Sequence, residues 1–126
     1  FDTNLNYNNN YRFYRVAEAY LNAAELLLET GGDAGLAKDY VNKIRRRAGI
    51  AELGAVTLDD VINERHLEFV GEGKRYFDLV RTGKAATVLV PDSYGYRTNS
   101  WTESKKYIPI AQAELDSDPA LVQNNY

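Results

Sequence analysis

The chain has 126 residues, 15 basic and 18 acidic side chains, a net charge of −3, and neither cysteine nor methionine. Without cysteine, disulfides, thiolate metal sites and thiol nucleophiles are excluded, and intermixed charge of near-zero balance argues against nucleic acid as a partner. No apolar run approaches the roughly 20 residues needed to span a bilayer, and the length suits one domain.

Residues 1–10 are asparagine-rich, lack a helical or strand period, and read as a linker. From about Tyr11 to Thr30, Ala17, Tyr20, Leu21, Ala24, Leu27 and Leu28 recur at three- and four-residue spacing, the apolar stripe of a helix that Gly31-Gly32 ends. Asp33 can cap a second helix with Leu36, Tyr40, Val41, Ile44 and Ala48 on one face. Arg45, Arg46 and Arg47 fall in its last turn, where positive charge suits the dipole, and Gly49 stops it. So short a link makes the two helices antiparallel neighbours. Thr57 and Asp60 form a capping-box-like start to a third helix with Leu58, Val61, Ile62 and Phe69 inward. The Gly71-Glu72-Gly73 step marks a bend, since glycine costs roughly 1 kcal/mol relative to alanine in a helix. A short fourth helix then runs from about Arg75 to Arg81, closed by Gly83. Beyond Val88 a loop punctuated by Pro91, Gly95, Asn99 and Ser100 carries Tyr94, Tyr96 and Trp101. Tyr107–Ile110 is extended because of the following proline constraint, Ala111–Leu115 makes one helical turn, and the tail after Pro119 docks onto the helices.

The expected fold is mainly α, with antiparallel helix pairs of tetratricopeptide-like type followed by a loop-rich tail. It is parsed as a single domain with linker 1–10, helical core 11–83 and tail 84–126.

Around the glycine bend stand Glu64, Arg65, Glu68, Glu72, Arg75, Asp78 and Arg81. Glu64 with Glu68, and Glu68 with Glu72, are like-charged neighbours on a helical face, so arginines must reach them from elsewhere: Arg75 across the bend, or Arg45–Arg47 from the second helix. Glycoside cleavage also uses two carboxylates, but acids on successive turns of an arginine-laced helix are more often structural. The ladder is therefore read as a clamp in which Arg45, Arg65, Arg75 and Arg81 fix the third and fourth helices on the first pair. His66 is the only histidine, so no imidazole cluster can hold a metal, and it reads as a surface or groove residue. No phosphate loop is present.

The run Glu64-Arg65, Glu68, Glu72-Gly73, Arg75, Asp78-Leu79, Arg81 resembles the C-terminal region of the SusD/RagB family of nutrient-binding outer-membrane lipoproteins. Ala17-Glu18, Leu21 and Ala24-Glu25 are similar to that family's first C-terminal helix, and Asn42, Ile44-Arg45 and Arg47-Ala48-Gly49 to its second. Tyr107-Ile108-Pro109-Ile110, Glu114-Leu115, Gln123-Asn124 and Tyr126 follow its closing pattern, with Ala111 and Asn125 departing where prolines are usual. The resemblance implies a piece of a longer polypeptide whose remainder lies N-terminal and carries most ligand contacts. It also implies a non-catalytic binder of oligosaccharide or another nutrient, needing no cofactor or metal. Such a binder is surface-exposed on the outer membrane, touches it only through a lipid anchor absent here, and hands ligand to a SusC-like TonB-dependent transporter. The alternative is a helical protein–protein interaction module that binds no glycan itself.

The best candidate for contact with a ligand is the loop from Asp92 to Ser104. Tyr94, Tyr96 and Trp101 offer flat apolar faces for stacking on sugar rings, and Arg97 and Asn99 can donate hydrogen bonds to hydroxyls. For Trp101 the other reading, that it folds back to cover the helices, weighs more.

Overall fold

The computed structural model describes residues 13–125, so the expected linker 1–10 lies outside the described residues, as do Tyr11 and Tyr126. The described residues form six α-helices and one 3-10 turn, with no strand among them. They divide into two compact units, the first ending at Gly71 and the second beginning at Glu72.

In the first unit, helix α1 runs Val16–Glu29, beginning after the extended Arg15. Thr30 closes it, and Gly31 takes the left-handed φ of 69° that turns the chain. Helix α2 runs Ala34–Ala48. The Asp33 carboxylate accepts the Leu36 N–H at 3.0 Å, and Gly49 ends the helix at φ 72°, ψ 24°. The short link returns α2 alongside α1, stacking the Tyr20 ring on Tyr40 with centroids 5.4 Å apart and placing the Lys43 ammonium 4.7 Å from the Tyr20 ring centre. Helix α3, Leu58–Glu68, begins with a complete capping box: Thr57 accepts from the Asp60 N–H, and the Asp60 carboxylate accepts from the Thr57 N–H at 2.8 Å. Ala17, Leu21, Ala24, Ala37, Val41, Ile44, Val56, Val61 and Phe69 make the core.

Three inward assignments are corrected, one of them Ala48, which is exposed at the C-terminal end of α2. Leu36 and Leu58 are 39% and 38% exposed. Each stands in the first turn of its helix, where little of a neighbouring helix remains to cover it, and in α2 Ala37 takes the buried place. The segment between α2 and α3 has no regular partner, and a side chain supplies one. Asn42, buried in α2, donates through Nδ2 to the Leu53 carbonyl at 3.0 Å and accepts the Leu53 N–H at 2.9 Å.

The second unit holds α4 (Arg75–Arg81), α5 (Ala85–Val88), the 3-10 turn Glu103–Lys106 and α6 (Gln112–Ser117). Leu79 and Ala85 are its fully buried apolar side chains, each 1% exposed, whereas Phe77 is exposed. In the C-terminal tail, Ala120 and Leu121 bond locally to Asp118, and Gln123 and Asn124 reach the extended segment before α6. Gln123 donates to the Ile110 carbonyl at 2.8 Å and accepts its N–H at 3.0 Å, and Asn124 donates to the Ile108 carbonyl at 3.3 Å. Gln123 thus does for Ile110 what Asn42 does for Leu53.

Candidate functional site

Two constellations stand out, one in each unit. In the first unit, carboxylates of α3 meet arginines from the flanking segments. Glu64, its side chain 4% exposed, accepts from Arg45 Nη1 at 2.7 Å, while Arg45 Nε donates to the Ala51 carbonyl at 2.7 Å. Glu68 is held from two sides. Arg47 Nη2 lies 2.6 Å from both of its oxygens, and Arg15 pairs with Oε1 while donating to the Glu68 main-chain carbonyl at 2.7 Å. Buried Arg65 donates to Asn22 at 2.6 Å and lies 3.9 Å from Glu18, both on α1. The guanidiniums of Arg15 and Arg65 sit 4.9 and 5.3 Å from the centre of the Phe69 ring, a cation–π arrangement over a buried aromatic. In the second unit Arg81 grips buried Asp78 through Nε at 3.0 Å and Nη2 at 2.8 Å, and Glu72 and Arg75 are half-buried. His66 is exposed. No buried side-chain nitrogen or oxygen among the described residues lacks a hydrogen-bond partner. Engaged this way, Glu64 and Glu68 are poor candidates for proton transfer.

The second constellation is a cavity of about 370 Å³ lined by Tyr76, Leu89, Tyr96, Arg97, Thr98, Asn99, Trp101 and Lys105. Its size is that of a small-ligand site, and its walls mix aromatic faces with a few polar groups. Four of the five residues singled out in the loop line it: Tyr96, Arg97, Asn99 and Trp101. Tyr94 does not, but its ring centre is 6.4 Å from that of Tyr96.

The cavity forms because both ends of the loop are tied. At one end the Asp92 carboxylate accepts the N–H groups of Tyr94 (2.8 Å), Tyr96 (3.2 Å) and Arg97 (2.7 Å), and the Asp92 N–H returns to the Arg97 carbonyl at 3.0 Å. Gly95, at φ 79°, supplies the left-handed step this turn requires. Desolvation is the largest single influence and works against the charge of Asp92, but the combined donation from the amides of Arg97, Tyr94, Tyr96 and Gly95 outweighs it and holds the carboxyl below the usual carboxylate range. At the other end the Trp101 N–H donates to the Leu89 carbonyl at 2.9 Å. The indole Nε1 donates to the Tyr76 hydroxyl at 3.3 Å, and that hydroxyl donates to the Lys105 carbonyl. Trp101 is half-buried against Tyr76 of α4 and still presents surface to the cavity. Its ring thus folds back on α4 while part of it stays open to the cavity.

Tyr76, Leu89, Thr98 and Lys105 were not singled out from the sequence. Tyr76 and Leu89 follow helical or apolar patterns that give no sign of a cavity, and only folding brings them beside the loop. Among the described residues there is no group of three side chains able to hold a metal ion, and no helix long and apolar enough to cross a membrane.

The profile of the SusD family matches residues 1–126. The starch-binding protein SusD of Bacteroides thetaiotaomicron is 34% identical over 115 residues, covering 88% of this chain and 20% of that protein. SusD-like protein P25 of Formosa agariphila is 32% identical over 134 residues, covering 96% of this chain and 25% of that protein. Among solved structures, surface glycan-binding protein A from Bacteroides uniformis superposes with a TM-score of 0.86 at 67% identity, over 94% of this chain and 28% of that one. Surface glycan-binding protein A from B. thetaiotaomicron, in complex with laminarihexaose, gives 0.83 at 62% identity over 96% and 26%. The chain thus spans about a quarter of the length of the relatives it matches.

Proposed function

The chain belongs to the SusD family, and on that premise we propose that it serves the capture of an oligosaccharide at the outer-membrane surface, without chemical change to it. The observation that carries the reading is the cavity around Tyr96 and Trp101, where aromatic faces suit sugar rings and Arg97, Asn99 and Lys105 offer donors to hydroxyls. Laminarihexaose is the first ligand to try, since a protein 62% identical to this chain has been solved with it. The arginine-held state of Glu64 and Glu68 supports binding without hydrolysis. Family membership supports attachment through a lipid anchor and delivery of the ligand to a SusC-like TonB-dependent transporter.

Tyr96 is 93% exposed, so Tyr96→Ala removes a stacking face without touching a core. Calorimetric titration of the intact protein with laminarihexaose should show affinity falling roughly tenfold in this variant, at unchanged melting temperature. Incubation with the same oligosaccharide should release no new reducing ends. Unchanged affinity would remove the cavity as a glycan site, and released reducing ends would overturn capture without chemistry.

A second reading, a protein-interaction module, draws on a groove of about 200 Å³ between α1 and α2, walled by Val16, Ala17, Tyr20 and Ile44 and flanked by Arg15, Lys43 and Arg47. Retention of a transporter partner together with no binding of laminarihexaose or starch would favour it.

A further inference from the structure

We propose that Asp92 is the positioning residue of this cavity: its carboxylate fixes the main chain from Tyr94 to Arg97 and so decides where the Tyr96 ring and the Arg97 side chain stand before ligand arrives. The inference rests on the reading of the cavity as a saccharide site. Asp92 is not among the lining residues, so its effect passes through the loop and not through the ligand.

All residues from Pro91 to Ser100 are exposed. Hydrophobic packing therefore contributes little to holding this segment in one conformation, and polar contacts must do so. At the far end those contacts are several: the Trp101 main chain on Leu89, its indole on Tyr76, and the Lys105 ammonium on the Ser100 carbonyl at 3.0 Å. At the near end a single side chain carries all but one. Oδ1 takes the amides of Tyr94 and Tyr96, Oδ2 takes that of Arg97, and only the Asp92 N–H to Arg97 carbonyl bond is independent of the carboxylate. The lowered proton affinity of Asp92 fits an anion that accepts several amide hydrogens.

A loop not held in its binding conformation must be ordered when ligand binds, and that ordering subtracts from affinity. The freed amides are at the surface, where water replaces the lost acceptor, so the folded state is little affected. Removal of the carboxylate should therefore separate affinity from stability.

The test is calorimetric titration of the intact protein with laminarihexaose, with melting temperatures measured in parallel, for the wild type, Asp92→Ala, Asp92→Asn and Tyr96→Ala. Asp92→Ala should bind roughly tenfold more weakly at an unchanged melting temperature. Asp92→Asn should fall between it and the wild type, because its amide oxygen can keep the Tyr94 and Tyr96 bonds while its NH2 faces the Arg97 donor. Wild-type affinity in Asp92→Ala, with Tyr96→Ala weakened, overturns the positioning role and leaves the site standing. A melting temperature that falls in step with affinity in Asp92→Ala also overturns it, in favour of a merely structural role. If the wild type does not bind, or Tyr96→Ala binds as well as the wild type, the saccharide reading falls and this inference with it.

Discussion

At the scale of single residues, the arginine–carboxylate contacts of α3 make the sharpest predictions. Glu64 and Arg45 have side chains 4% and 16% exposed. Removing the acid alone leaves a largely desolvated guanidinium without its counter-charge, so Glu64→Ala should lose roughly 3 kcal/mol in urea unfolding, whereas replacing both partners with apolar residues of similar size should cost far less. Arg45 and Arg47 could be read as partners because they sit in the last turn of α2, near the like-charged ladder. Arg15 could not: it lies 53 residues from Glu68, and no helical spacing connects them. Asp60 gives a prediction in pH. Its carboxylate accepts the Thr57 hydroxyl hydrogen at 2.7 Å and the Thr57 N–H at 2.8 Å, and these two bonds hold its proton affinity below the ordinary value. A folded-state pKa below the unfolded value of roughly 3.9 means the bonus is present above that pH and lost as the pH falls through the folded value. Thr57→Ala should cost about 1 kcal/mol at neutral pH, and the part of it carried by the hydroxyl-to-carboxylate bond should vanish in acid, as measured by denaturant titration at the two pH values.

At the scale of elements, starts and stops were the legible part. Asp33 caps α2, Thr57 and Asp60 box the start of α3, Gly49 ends α2 and α4 occupies Arg75–Arg81, because each signal is local and carried by side-chain chemistry within one turn. Inward faces were less legible. Periodicity gives a direction around the helix but not how far along it a neighbour extends, which is why Leu36 and Leu58 are exposed while Leu21, in the middle of α1, is 0% exposed. Leu21→Ala should accordingly cost 2–5 kcal/mol by the usual cavity penalty, seen as a lower midpoint in thermal or urea unfolding. The link from α2 to α3 depends on Asn42, whose amide serves both main-chain groups of Leu53. Asn42→Ala should leave this 3% exposed position without either bond and lower stability by about 1–3 kcal/mol, with faster amide exchange at Leu53.

At the scale of the whole molecule, family membership was readable because its motifs are ordered along nearly the entire sequence. The cavity was readable only in part. Its loop side announced itself through Tyr96, Arg97, Asn99 and Trp101, whereas Tyr76, Leu89 and Lys105 are separated in sequence by more than any local pattern spans. Charge bears on the ligand at this scale too. Basic and acidic residues are nearly balanced, at 15 and 18, so a neutral sugar meets no strong long-range field. Affinity for laminarihexaose should change less than about twofold between low and high salt, since screening acts on exposed charges and not on stacking. A steep decline with salt would instead mean that exposed charges, and not stacking, carry the binding.

The stop of α2 has a consequence of its own. Gly49 sits at φ 72°, yet a methyl group built on its α-carbon would meet no atom within 4 Å. The obstacle to any substitution there is handedness and not room. A D-alanine, for which this backbone geometry is the relaxed one, should be accepted in a semisynthetic chain and raise stability by about 0.4–1 kcal/mol, by thinning out the unfolded ensemble. Its L enantiomer at the same place should do the reverse, so one stereocentre would reverse the sign of the effect.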